Sequence, residues 1–512
     1  MIRLSWFWDG MGPNLVSAIL LSLVNIINYI DRYTPSSLIS NLKSSFEFTE
    51  QWKAGFLQTS QFLALTIIPP VYGVLGDRVS RKVLIIVSFV FWTSSVLMSS
   101  FAKSYWAFLA LQTLVGFGEA GFTTVTPTVF PDLFRGRALS IWLAAFYFAI
   151  PVGNGLGYIL ARSIQSALSD SLGKDESWRW AIRFTFFPAI VLAMLLVVFL
   201  KDPPRGITKQ DQINVTGKRK KMKSIARNFF SDVQAIFAIK TYTLSLLGMV
   251  CMYFMTGALA WWGPTYLKDG CNYLNWTAPA ESFERSICGS CNGTSEEYYG
   301  NIDFYFGAIM LVAGIIGITI GTFLSAHFRR KYPAIDPFII GIGLLLASIF
   351  LFVGFLTASS SILTSLVLIF FGTTFACLNW AVVVDMTLYV VPPPLRSTAT
   401  GLQTAIAHGF GDAGSPYIVG LIADALKERS DTNIPGHINS TMSCSTNQDD
   451  AMSEFSSMQG ALWITIAMAC LSGMIFMLIA KFVVADKKRA EGQPNEEDSQ
   501  TGTTSRIEDS KL

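Results

Sequence analysis

The stretch GVLGDRVSRK, residues 73–82, lies between two long apolar runs, and its reading decides the fold. It crowds Asp77, Arg78, Arg81 and Lys82 into one short turn. The runs beside it, at about 53–75 and 82–101, are close to the roughly 20 apolar residues that a helix needs to cross a bilayer. So short a basic turn joins two antiparallel crossings and keeps its cations at one membrane surface. A weaker copy, GTFLSAHFRRKYP at 321–333, follows another apolar run in the second half of the chain.

Working outward from that turn, the hydropathy pattern predicts an all-α integral membrane protein of twelve transmembrane helices. The spans fall at about 14–38, 53–75, 82–101, 105–130, 138–161, 180–200, 241–266, 302–326, 336–357, 361–390, 396–424 and 459–484. Composition agrees. Of 512 residues, 51% are apolar, 13% aromatic and 14% charged, against about 25% charged in soluble domains. Mean hydropathy is +0.45. A net charge of +3 gives no bulk attraction to nucleic acid, which is excluded as a partner.

Orientation follows from Lys and Arg near the span ends. With both termini cytosolic, one set of loops holds Arg78, Arg81 and Lys82, then Arg135 and Arg137, the cluster Lys218–Lys223, Arg329–Lys331 and Lys487–Arg489. The opposite loops, 267–301 and 425–458, carry sequons at Asn275, Asn292 and Asn439, where glycan addition is expected. Cys271, Cys288, Cys291 and Cys444 share those loops and are the disulfide candidates. Cys288 and Cys291 form a CxxC, but no His lies near it in that loop. No metal or cofactor site is read.

The Lys-rich stretch 201–240 divides the spans six and six. This gives an N-terminal half at 1–200, a basic cytosolic linker at 201–240, a C-terminal half at 241–485 and a disordered cytosolic tail at 486–512. Glycines recur in parallel places: Gly153, Gly155 and Gly157 in the fifth span, Gly409, Gly411 and Gly414 in the eleventh. The first three suit either a hinge or close helix packing. Two six-helix repeats with a site between them at mid-membrane describe the major facilitator architecture.

Several strings then resemble the Spinster branch of that superfamily. They are NYIDRYT (28–34), GFGEAGFTTVTPT (116–128), FYFAIPVGNGLGY (146–158), KDPPRG (201–206), RRKYPAIDP (329–337), NWAVVVDMTLYVVPP (379–393) and HGFGDAGSPYIVGLIAD (408–424). GVLGDRVSRK likewise looks like the superfamily's loop signature, with Ser80 in place of its second Gly. The resemblance implies a transporter of lysophospholipids, sphingosine-1-phosphate or related sphingoid lipids, in a lysosomal or late endosomal membrane or in the plasma membrane. It implies that Asp77, Arg78, Arg81 and Lys82 gate the cytosolic side. It also makes Asp31 the proton-responsive acid and Arg32 its cationic neighbour. Family members carry an Arg two turns before the Glu of GFGEA, where this chain has Gln112.

Charges inside a bilayer are costly, so each is a functional candidate. Asp31 and Arg32 close the first span, as an ion pair or as part of a site. Glu119 lies mid-span with no Lys or Arg before Phe130. It is either a proton carrier or a neutral acid bonded to a neighbouring helix. Gln112 is i, i+7 from Glu119 and shares its face, so either Arg32 serves as the counter-ion or proton coupling is altered or lost. His408 and Asp412 are i, i+4 and form either a helix lock or a proton shuttle. Thr123, Asn379 and Trp380 complete the candidate substrate cavity, whereas Trp261 and Trp262 are placed as interfacial anchors.

The expected function is alternating-access transport of single-chain amphipathic lipids by a monomer, with protons as candidate coupling ions. The alternative is a facilitator of small organic anions or sugars. No HExxH, GxSxG or P-loop pattern appears, so neither an enzyme nor an ATP-driven pump is read.

Overall fold

A computed structural model describes residues 12–134, 136–200, 231–277, 287–288, 302–392, 395–431 and 448–491. Among them nine helices are long and apolar enough to cross a membrane. The remaining three crossings are those whose lipid-like character is diluted. The second is broken at Pro69–Pro70 into α3 (Gln51–Ile67) and α4 (Pro69–Arg78), and it buries Gln58, Thr59, Ser60 and Gln61. The fourth, α6 (Tyr105–Val125), carries Gln112 and Glu119. The eleventh is interrupted at His408–Asp412.

The first six crossings are α1 (Gly12–Ser37), α3–α4, α5 (Arg81–Ser99), α6, α8 (Gly136–Leu172) and α9–α10 (Lys174–Arg183, Phe186–Phe199). Short helices α2 (Ile39–Ser45) and α7 (Phe130–Leu133) flank them. The second six are α11 (Lys240–Thr277), α12 (Ile302–Phe328), α13 (Ile335–Thr357), α14–α15 (Ile362–Cys377, Asn379–Val390), α16–α17 (Arg396–Ala407, Ser415–Asp431) and α18 (Gln448–Ile479). A last helix, α19 (Val483–Ala490), follows.

Local sequence sets these boundaries. Ser80 and Ser104 accept from the Val83 and Ala107 amides and so start α5 and α6, as capping serines do. Gly173 turns the chain at φ +77° between α8 and α9. The Ala413 amide donates to the His408 carbonyl at 2.9 Å, a five-residue register that makes the π turn in the eleventh crossing. Such turns concentrate at functional sites. Large apolar side chains on the outside, such as Ile67, Val198 and Phe323 at 65, 69 and 65% exposure, form the surface that lipid covers.

Across the two sets of six, α8 packs on α12 and α3 packs on α17. Small residues make both approaches. A Cβ on Gly155 would meet the Gly307 carbonyl oxygen at 2.6 Å, and one on Gly55 would meet that of Pro416 at 2.2 Å. Tyr158 Oη on α8 donates to the Ala260 carbonyl on α11. These contacts lie toward the end where α1 finishes, α3 begins and the Cys271–Cys288 disulfide sits; we call it the disulfide end. The other, basic end carries Arg81, Lys82 and Arg329–Lys331.

Four expectations change. Helix α11 runs to Thr277, so Cys271 and Asn275 are helical, and Asn275 is partly buried rather than on an open loop. Helix α19 covers residues 486–490, against the expectation of a disordered tail from 486 onward. Asp486 is held there because its Oδ2 accepts the Thr241 amide at 2.9 Å, capping α11. Trp261 and Trp262 are 1 and 0% exposed inside the bundle rather than interfacial. Trp262 Nε1 donates to the Pro416 carbonyl, which ties α11 to α17. Asp31 and Arg32 do not end the first span, because α1 continues to Ser37 and buries both.

Candidate functional site

Asp31 and Arg32 are neighbours in sequence but point at different helices. Asp31 Oδ2 accepts from Nε1 of the fully buried Trp92 on α5 at 2.9 Å. Arg32 Nη2 lies 2.8 Å from Glu119 Oε2 on α6, and also donates to Asn28 Oδ1 at 3.2 Å. The guanidinium further stacks over Tyr29 at 4.6 Å and Phe62 at 5.3 Å. Glu119 therefore has its cation, supplied by another helix and not by its own.

A second group meets this one. His408 Nδ1 is 2.7 Å from Asp412 Oδ2 within the π turn. The imidazole stacks on Phe62 at 6.1 Å and meets the edge of Tyr253 on α11 at 4.8 Å. Tyr253 in turn packs on Trp380 at 5.3 Å. An aromatic chain thus runs from Trp380 and Tyr253 through His408 and Phe62 to Arg32 and Glu119, joining the two sets of six helices.

The other expected residues are placed as follows. Gln112 is buried at 5% exposure on α6. Thr123 Oγ1 bonds the Glu119 carbonyl of its own helix at 2.8 Å. Asn379 is buried and its amide donates to the Ala376 carbonyl. Gly153 and Gly157 face α1 through Tyr29 and Ile30, while Gly155 faces Gly307 on α12. Arg81 pairs with Asp132 and donates to the Thr128 carbonyl at 2.8 Å. Lys82 stands beside Arg81 in the first turn of α5. The side chains of Asp77 and Arg78 lie outside the described residues, as do Cys291, Cys444, Asn292 and Asn439. Cys271 bonds Cys288.

Three features escaped the sequence reading. One is the aromatic bridge of Phe62, Tyr253 and His408, since aromatics in spans carry no spacing that singles them out. The others are the buried Lys268–Asp303 pair at 2.8 Å and the Asp424 contacts to Gln51 and Trp52. Lys268 lies just past the predicted span 241–266 and Asp303 at the start of 302–326, where charges are ordinary, so neither stood out. Among the described residues no three His, Cys, Asp or Glu side chains gather in a way that would hold a metal ion.

Two packed sets of six helices with paired charges buried inside them suit a membrane transporter, and the comparisons show that class. The model of the Major Facilitator Superfamily matches residues 21–416. Protein spinster homolog 1 of Xenopus tropicalis is 34% identical over 476 residues, covering 92% of this chain and 82% of that protein. Protein spinster of Drosophila melanogaster is 34% identical over 502 residues, covering 92% and 77%. A bacterial homolog to the human lysosomal transporter Spinster, solved in an inward-facing, unoccupied conformation, superposes with a TM-score of 0.73. It is 18% identical and covers 93% of this chain and 99% of that one. The class is a multi-pass transporter of the major facilitator fold, with twelve helices in two halves and the fold and relatives of transporters rather than enzymes. Within that class the chain belongs to the Spinster family.

Proposed function

We propose that this chain carries single-chain amphipathic lipids, lysophospholipids or sphingosine-1-phosphate among them, across its membrane by alternating access. One observation carries the reading: the buried Arg32–Glu119 pair, 2.8 Å long, placed against Phe62 and the His408–Asp412 pair of the other half. A charged centre of this kind suits a polar headgroup, and the aromatic run through Tyr253 and Trp380 suits the chain attached to it. Protonation of Glu119 or Asp31 would release Arg32 or Trp92 and loosen the polar ties of one state. Rocking of the N-terminal half, 14–200, against the C-terminal half, 241–484, then changes the side of access, with Gly153, Gly155 and Gly157 letting α8 slide on α1 and α12.

The basic end faces the cytosol in this reading, with both termini there and Asp77, Arg78, Arg81 and Lys82 as its gate. Contacts between the halves gather at the disulfide end, which makes the described conformation inward-facing. Asn292 and Asn439 are the better glycan sites, since Asn275 is helical. A lysosomal membrane is the favoured location, because that word describes the human relative of the structurally similar bacterial protein.

The test is flux of labelled lysophospholipid and sphingosine-1-phosphate in reconstituted vesicles, with and without an acid gradient. The wild type is compared with Glu119→Gln. Lipid flux that depends on the gradient and is lost in Glu119→Gln supports the reading. Unchanged flux and pH response in that variant would sink the proton mechanism. Uptake of short organic anions or sugars with no lipid flux would replace the substrate.

A further inference from the structure

At the disulfide end, two charges of the C-terminal half grip two helix ends of the N-terminal half. Lys268 Nζ on α11 donates to the carbonyl of Ser37, the last residue of α1, at 3.1 Å. The same ammonium sits 2.8 Å from Asp303 Oδ2 on α12, with side-chain exposures of 8 and 1%. Asp424 on α17 accepts the first backbone amides of α3: Gln51 to Oδ1 at 2.9 Å and Trp52 to Oδ2 at 2.8 Å. The preceding Glu50 makes no side-chain cap of its own, so α3 is capped from the other half.

The signs match the helices. The last carbonyls of a helix lack intrahelical partners and form the negative end of its dipole; the first amides form the positive end. The cation meets the first kind of end and the anion meets the second. Close backbones make the reach feasible: a Cβ on Gly420 would come within 2.8 Å of the Gln51 carbonyl oxygen. None of these residues belongs to the mid-membrane site.

We propose that Lys268 and Asp424 form a two-point clasp that holds the disulfide end shut, with Asp303 as the positioning residue for Lys268. Both contacts cross between the halves, so both must break when that end opens. Both are absent from the opposite conformation, which makes them determinants of the balance between the two. The inference rests on the alternating-access reading, but it does not depend on which solute is carried.

Hydrogen–deuterium exchange of the full-length protein in nanodiscs tests it. Asp424→Leu removes one grip. Lys268→Met with Asp303→Leu removes the other and leaves no orphaned buried charge. The clasp predicts opposite changes at the two ends. Amides at 264–272 in Asp424→Leu, and at 48–56 in the double variant, exchange roughly threefold or more faster. In both variants amides at 76–84 and 396–402 at the basic end exchange more slowly, because that end closes. A merely architectural contact would loosen both ends together; that pattern, or exchange unchanged from wild type, overturns the proposal. The readout needs no substrate. A wild type without lipid flux would therefore remove the proposed cargo while leaving the clasp to stand or fall on its own.

Discussion

Arg32 and Glu119 meet at 2.8 Å with side-chain exposures of 5 and 0%, and that contact ties α1 to α6 in the interior of the N-terminal half. Removing one member of a buried pair strands the other charge, at a cost of about 3–5 kcal/mol, whereas removing both is often neutral. Arg32→Leu should therefore lower the melting temperature in nanodiscs markedly. Arg32→Leu combined with Glu119→Leu should recover most of that loss and still fail to transport. A double variant with wild-type flux would show the pair to be structural only.

Gln112 stands where the family resemblance implies an arginine. It is buried at 5% exposure two turns before Glu119, and it offers hydrogen bonds without charge. Gln112→Arg would place a second cation near the carboxylate already held by Arg32. A charge-assisted bond to an anionic headgroup is worth about 1.5–3 kcal/mol, roughly tenfold or more in affinity. Competition by a phosphate-bearing lipid should then strengthen by about that factor over a neutral-headgroup lipid of equal chain length. Equal strengthening of both would mean that residue 112 does not face the headgroup.

The sequence made the crossings legible because bilayer thickness leaves a period-free apolar signal of fixed length. It also made Asp31, Arg32 and Glu119 legible, because charge inside such a run stands out. Arg32 was legible as a candidate counter-ion for Glu119, 87 positions away, because so few cations lie inside the spans. That Asp31 turns instead to Trp92 was not legible. Helix rotation and tilt decide that, and both are set by packing. Lys268 and Asp424 were hidden for a different reason. Each sits near a span end, where charges are ordinary, and gains meaning only from the helix terminus it touches.

Cys271–Cys288 closes a loop with a sequence separation of 17 and pins the end of α11 three residues past Lys268. Crosslinks of that span contribute about 3 kcal/mol, mainly by restricting the unfolded chain. Cys288→Ser, or dithiothreitol on the wild type, should lower thermal stability by a similar amount, and the two treatments should not add. Additive losses would mean that reduction acts on another bond.

The approach of α3 to α17 leaves no room for a side chain at Gly55. A Cβ there would lie 2.2 Å from the Pro416 carbonyl oxygen and 2.6 Å from its carbon, both backbone atoms that cannot swing aside. Gly55→Ala must push the two helices apart at the disulfide end. Overpacking of this kind costs about 1–3 kcal/mol. Because the strain falls on the conformation in which this end is closed, lipid flux should drop by roughly the tenfold that 1.4 kcal/mol represents. Gly401→Ala is the control, since a Cβ there meets nothing within 4 Å. Measured side by side in the same vesicles, loss in Gly55→Ala with wild-type flux in Gly401→Ala places the effect at the α3–α17 contact. Equal flux in the two would mean that this end never closes as tightly as the Gly55–Pro416 approach requires.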